Sequence, residues 1–222
     1  MKSVVLLCLL VIAGGYAQPT SEIVPTQDRI VDYWLIDAIE TLTQWIKANG
    51  YDPFEFGQNF NWIFFDDTLE IVGYVSRLRF TGASNINIDN LYYNILLGRL
   101  DVDLVIPQLF LEIGHYKGQI IQHGVVTYDL EISGSLAIND VRIKGDVLLR
   151  LSGGSVQIHN INPQFSIGSI QADPTVIESG RDVSLLVRYF LHVTVPNFLE
   201  IYKNEINTII GEQIRQAVNR WW

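Results

Sequence analysis

The chain has 222 residues, 48% of them hydrophobic and 18% charged, with 15 lysines and arginines against 24 acidic residues for a formal charge of −9. That balance argues against nucleic acid as a partner, and against an anionic membrane held by charge alone, because both require a basic surface. The composition suits one ordered globular domain rather than a disordered chain.

Lys2, the apolar run from Val4 to Ala13, and Gly15-Tyr16-Ala17 before Gln18 reproduce the basic, hydrophobic and small-residue regions of a secretory signal peptide. The apolar core is about ten residues, half of the roughly 20 that span a bilayer. We therefore expect residues 1–17 to be removed and 18–222 to form one secreted, extracellular domain. Cys8, the only cysteine, leaves with the leader, so no disulfide is expected and a hydrophobic core must hold the domain.

Gln18 to Asp28 is polar, and Asp28 is placed to cap a helix beginning at Arg29. From Arg29 to Asn49 the apolar residues Val31, Trp34, Leu35, Ala38, Ile39, Leu42, Trp45 and Ile46 recur at helical spacing, which predicts an amphipathic helix closed by Asn49-Gly50. Tyr51-Asp52-Pro53 and the aromatic run to Phe65 read as a loop packed by Phe54, Phe56, Phe60, Trp62 and Phe64. After Asp66-Asp67 the period becomes two. Leu78 and Phe80, Ile86 and Ile88, Leu100 to Ile106, Leu109 to Ile113, Val126 to Ile132, Leu136 to Ile138, Val141 to Ile143, Val147 to Leu151, Val156 and Ile158, and Val183 to Val195 predict about eight to ten short strands. His123-Gly124, Ser133-Gly134 and Gly153-Gly154 are the turn signals between them, and Pro163 and Pro174 mark loops or edge strands. Val195 to Trp222 returns to helical spacing, with Pro196 at its start and a length of about 40 Å. A helix, a run of strands without parallel crossovers and a helix make an α+β domain with an antiparallel sheet.

Catalytic patterns are missing from the sequence. His115, His123, His159 and His192 form no helical metal pair, and neither H-E-x-x-H nor G-x-S-x-G occurs. Gly153-Gly154-Ser155 reads as a turn rather than a nucleophile loop. Asp66-Asp67 reads as a solvated turn, and Asp101 with Asp103 as the wet face of a strand, where nothing raises a pKa. We expect no enzyme, no metal and no cofactor.

The leader, the N-terminal amphipathic helix closing on Tyr51-Asp52-Pro53, the alternating strands and the terminal amphipathic helix together resemble the arthropod group 7 mite allergen family of the tubular lipid-binding (TULIP) superfamily. The resemblance implies a strongly curved antiparallel sheet wrapped around the long C-terminal helix, similar to half of a bactericidal/permeability-increasing-type fold. It also implies a hydrophobic pocket and no catalytic residues. The takeout and juvenile-hormone-binding family is a neighbouring resemblance, but its N-terminal cysteine pair has no match here.

The expectation is a secreted, non-enzymatic protein that carries or senses a fatty acid, lipid or terpenoid between helix and sheet. Strand and helix parity nominates Val102, Leu104, Ile106, Tyr128, Leu130, Ile132, Ile206, Ile210 and Ile214 as the lining. The alternative is an interaction protein that makes transient membrane contact, or docks on a protein partner, through Trp221-Trp222 and the aromatics from Phe54 to Phe65, with no bound ligand.

Overall fold

A computed structural model of the chain describes residues 30–64, 69–122, 126–152 and 155–221. The leader, Asp28, Asp66-Asp67, His123-Gly124, Gly153-Gly154 and Trp222 lie outside the described residues.

Helix α1 spans Ile30–Ala48. Its residues Ile39, Leu42 and Ile46 follow the three-four spacing of one helical face and are buried against Ala83, Ile86, Ile88 and Leu104. The helix ends as its sequence predicts. Asn49 Nδ2 donates to the Trp45 carbonyl at 2.8 Å, Tyr51 N donates to the Ile46 carbonyl, and Gly50 takes the left-handed φ of 70°. The chain leaving the helix is then pinned by Asp52. One of its carboxylate oxygens accepts from Gly82 N at 3.0 Å, and the other accepts from Ser84 N at 2.7 Å and Ser84 Oγ at 2.6 Å. Partial burial pushes the Asp52 pKa up, but the hydrogen bonds from Ser84 and Gly82 outweigh it and hold the carboxyl below its ordinary value.

Ten strands come next among the described residues: β1 Phe54–Phe56, β2 Asn59–Phe64, β3 Leu69–Val75, β4 Leu78–Thr81, β5 Asn87–Asn94, β6 Arg99–Gln122, β7 Val126–Ser152, β8 Ser155–Ser166, β9 Ser169–Glu178 and β10 Arg181–Asp182. Every pairing is antiparallel. The pair β6–β7 is the axis of one curved sheet. Strands β5, β4 and β3 take successive stretches of the outer edge of β6, while β8 and β9 share the outer edge of β7.

Two sequence expectations change here. The aromatic run after Pro53 is not a loop. Phe54–Phe56 pairs with Phe80–Leu78, and Asn59–Phe64 pairs with Tyr74–Leu69. Phe56 and Phe60 pack between strands, the Phe60 ring lying 5.9 Å from those of Phe56 and Tyr116. Short strands separated by turns are replaced, between residues 99 and 152, by strands of 24 and 27 residues. Ser133-Gly134 is not a turn but a point inside β7. Gly134 has φ 119° and sits opposite Pro174, and a Cβ on it would come within 2.1 Å of the Asp173 carbonyl oxygen. Glycine is required by that close approach. Pro163, opposite Gly145, and Pro174 both lie in strands on the periphery of the sheet, as the sequence predicts.

A straight strand of 24 residues would reach about 80 Å, so β6 and β7 must bend to pack against anything. The ladder shifts register between Ile113 and Tyr116. The apolar residues of β7 also change parity across Asp140, with Leu136 and Ile138 before it and Val141 and Ile143 after. Asp140 takes φ 53°, a left-handed backbone that interrupts simple alternation and re-aims the side chains.

The polar side of this region is not uniformly wet. Asp103, expected to be solvated, is only 6% exposed. Arg142 covers it with a two-pronged contact, Nε to Oδ1 at 2.6 Å and a second guanidinium nitrogen to Oδ2 at 3.0 Å, while also reaching Asp89. A buried carboxylate paired in this way is structural, because the bidentate guanidinium replaces the water it has lost.

The C-terminal third departs most from the expectation. Val183 to Val195, read as a strand, is helical: α2 is Ser184–Tyr189, a π-helical turn runs Phe190–Thr194, and α3 is Val195–Ile201. Asp182 immediately precedes this segment and its carboxylate accepts from Ser184 N at 2.9 Å, a local side-chain to backbone turn contact, while the N-cap position is Val183. Pro196 lies in the first turn of α3, as the sequence predicts, but helical residues also precede it. Its missing N–H and its ring disrupt regular i to i−4 bonding, and the wide π turn immediately precedes it. After a one-residue break at Tyr202, helix α4 runs Lys203–Trp221. At about 1.5 Å per residue it measures about 28 Å, not 40 Å. Helix α4 packs on β8 through Ile214 and Ile210, which meet Ile158, Ile161, Val147 and Leu149, and Asn207 Oδ1 accepts from Phe165 N at 2.8 Å.

Candidate ligand-binding surface

In an ordinary surface helix the apolar stripe faces the sheet and the polar residues face water. Segment 184–202 does not divide that way. Two of its polar side chains are turned onto the sheet: Arg188 pairs with Asp173 of β9, and His192 Nε2 accepts from Ala172 N at 2.9 Å. Val187, Leu191, Val195 and Leu199 are half-buried on the inner side. The outer side is also apolar. Leu185, Leu186, Tyr189, Phe190, Phe198, Ile201 and Tyr202 are all exposed, Leu186 by 67% and Ile201 by 72%. The Phe198 and Tyr202 rings sit 4.6 Å apart and extend the same strip.

Next to this strip, where α3 and α4 pass the β8–β9 turn, lies a cavity of about 230 Å³ lined by Phe165, Ile167, Pro196, Leu199 and Ile206, with Ser166, Ser169, Glu200 and Lys203 at its polar positions. Ligand pockets commonly run from about 300 to 1,000 Å³, so this cavity by itself is smaller than most, and the exposed apolar strip continues from it. A second cleft of about 510 Å³ lies along α4 from Asn204 to Arg215, and its lining is mostly polar, with Asn160, Asn162, Gln164, Glu212 and Arg215 beside Ile161 and Pro163.

The nine lining residues expected from parity do not gather in one place. Ile206 lines the 230 Å³ cavity. Ile210 and Ile214 are committed to the α4–β8 core. Leu104 packs under α1 rather than under the C-terminal helix, and Val102 and Ile106 are its half-buried neighbours on β6. Tyr128, Leu130 and Ile132 pair with Ile120, Gly118 and Tyr116, at the far end of the β6–β7 ladder. From Ile143, opposite Leu104, to Ile132 is roughly 35 Å of strand. Parity identifies a face; it carries no information on position along so long a ladder. Within this strip, Leu185 to Phe190 falls in the stretch expected to be a strand because its aromatic and β-branched residues look strand-like, whereas Phe198 and Tyr202 fall in the helix expected from Val195. Asp182 at the start and the i, i+4 series Val183, Val187, Leu191, Val195 and Leu199 were the available helical signals.

Among the described residues no three or more His, Cys, Asp or Glu side chains gather to hold a metal ion, and no helix is long and apolar enough to cross a membrane. No protein-family model and no curated protein sequence matches the chain. Among solved structures it is similar to Takeout 1 of Epiphyas postvittana, with 13% identity over 85% of this chain and 87% of that one and a TM-score of 0.36. It is also similar to lipopolysaccharide binding protein, with 15% identity over 86% of this chain and a TM-score of 0.36. This chain spans 38% of that protein.

Proposed function

We propose that residues 18–222 form a single secreted domain of the group 7 mite allergen type that carries or senses a hydrophobic ligand such as a fatty acid, lipid or terpenoid, without catalysing a reaction. The observation that carries this reading is the helical segment 184–202, which lays Val187, Leu191, Val195 and Leu199 on the sheet and still exposes a second apolar strip through Leu186, Phe190, Phe198 and Ile201. Such a strip is costly to hydrate, and covering it with an acyl chain or fused rings recovers roughly 25 cal/mol per Å² buried.

The ligand's apolar body would lie along Leu186, Phe190 and Phe198 and enter the cavity at Leu199 and Ile206. Lys203, beside the cavity and 3.9 Å from Glu200, is the cation that a fatty-acid carboxylate would meet. Of the nine residues expected from parity, Ile206 belongs to this proposed contact surface, and Ile210 and Ile214 hold the helix beneath it.

Native mass spectrometry of the secreted protein, joined to displacement of a fluorescent fatty acid, tests the proposal. Recovery of a bound lipid, and weaker probe binding in a Leu186→Gln/Ile201→Gln variant, are expected. Absence of bound lipid together with no saturable probe binding would reject it.

A further inference from the structure

Among the described residues, the most exposed large apolar side chain is in the hairpin joining β5 to β6, far in sequence from the helical strip. Leu96 is 93% exposed, Leu97 68% and Ile95 48%, so three consecutive aliphatic side chains form a projecting tip. We infer that this Ile95-Leu96-Leu97 tip inserts into the headgroup–acyl boundary of a neutral phospholipid bilayer and docks the protein there.

Four features suit the tip to a bilayer. Its turn is internally bonded: Asn94 Oδ1 accepts from Leu97 N at 3.1 Å, so that amide does not enter an apolar medium unpaired. Its base is held rigidly. Gly98 takes φ 60° and its carbonyl accepts from Leu149 N at 2.7 Å, and a Cβ on Gly98 would lie 2.7 Å from the Leu149 carbonyl oxygen. The tip is therefore presented without an ordering cost at the moment of contact. Tyr92, on the strand leading to the tip, is 54% exposed, and tyrosine favours the level of the membrane where one end of the ring is apolar and the other wet.

Charge supplies the fourth feature. The nine residues from Asn90 to Gly98 carry no charge in a protein of formal charge −9. The first cation after them, Arg99, is engaged by Asp101 at 2.8 Å and lies 3.9 Å from Asp146. An acidic body with an uncharged apolar tip fits a zwitterionic surface and is repelled by an anionic one. Three residues are far too few to span, so the contact is interfacial and reversible. Helix α4 points toward the same end of the sheet: Asn207 meets Phe165, Gly211 meets Pro163 and Ile161, and Ile214 meets Ile158, whose strand partner Leu149 bonds to Gly98.

The test is flotation of the secreted full-length domain with vesicles of pure phosphatidylcholine and with vesicles containing phosphatidylglycerol. Wild type should float with the neutral vesicles and less with the anionic ones. Leu96→Gln and Leu97→Ser should each lower the partition roughly tenfold or more, with unchanged circular dichroism and unchanged displacement of a fluorescent fatty acid. Leu96→Trp should keep flotation and add emission that lipids brominated along the acyl chain quench. Failure of the wild type to float, equal flotation of Leu96→Gln, or added emission in Leu96→Trp that is indifferent to brominated lipid would each overturn the inference. Because the tip and the helical strip are separate, loss of fatty-acid binding alone leaves it standing.

Discussion

Helix α1 and the segment from Ser184 to Tyr202 both lay apolar side chains on the same sheet, but their outer sides differ. On α1, Asp37, Glu40, Gln44 and Lys47 face water, and Ile39, Leu42 and Ile46 are buried. On segment 184–202, Arg188 and His192 bond to β9, while Leu185, Leu186, Phe190 and Ile201 face outward. The same residue types are therefore core in one place and a surface in the other. What separates them is how much large apolar area stays outside: α1 exposes Tyr33 and Trp45 among charged residues, whereas segment 184–202 keeps a run of large apolar side chains in water beside Thr194, Asn197 and Glu200.

Breaking the α1 side should cost stability and spare binding. Ile46→Ala removes a side chain that is 3% exposed, and should lower the unfolding free energy by about 2–4 kcal/mol in urea titration. Fatty-acid probe affinity of the remaining folded protein should be unchanged; a parallel loss of affinity would merge the two regions.

Asp52→Ala should come next, at about 1–3 kcal/mol, because Gly82 N, Ser84 N and Ser84 Oγ lose their acceptor where α1 hands over to the sheet. The pH dependence has a definite sign. The folded carboxyl titrates below its ordinary value of 3.8, so its contribution is complete above that value and disappears as pH falls through the depressed folded pKa. Asp52→Asn should flatten the acid limb of the stability curve, which thermal melts at stepped pH would show.

The strip should behave in the opposite way. Leu186→Gln with Ile201→Gln, at exposed positions, should change stability by no more than about 0.5 kcal/mol and weaken fatty-acid probe binding about tenfold, equivalent to about 1.4 kcal/mol. A large fall in melting temperature in that variant would show the strip to be core after all. The smallest effect is expected at Lys203→Gln. Affinity for a fatty acid should fall by a few-fold, consistent with the modest worth of an exposed ion pair, while affinity for the corresponding fatty alcohol should not move. Isothermal titration with the two ligands makes the comparison.

Much of the framework is legible locally. The three-four spacing of Ile39, Leu42 and Ile46 identifies both α1 and the side that it buries. Asn49-Gly50 identifies its end, and alternation from Leu100 to Ile106 identifies strand and face. The misreadings share a cause. At Ser133-Gly134 the local turn signal is overridden because β6 and β9 pair with β7 on its two sides and carry it straight through. At Val183 to Val195, β-branched and aromatic residues satisfy a strand pattern and a helix pattern together, and the folded chain takes the helix. Of the candidate site, Ile206 was legible from helical spacing. Leu104 was placed on the correct element, but its partner is α1, because parity does not say which helix lies overhead.

The sequence by itself determined the periods: an amphipathic N-terminal helix, alternating strands in antiparallel order, an amphipathic C-terminal helix, and an acidic chain without catalytic signatures. These are short-range properties, set by side chains within a turn or two of one another. Tertiary structure decided how far each strand runs, which helix covers which stretch of the β6–β7 ladder, and which apolar side chains remain in water. Those outcomes depend on pairings between residues tens of positions apart, such as Leu149 with Gly98 and Asp52 with Ser84. They also explain why the uncovered apolar strip at Leu186 and Ile201 and the tip at Leu96 emerge only from the folded chain.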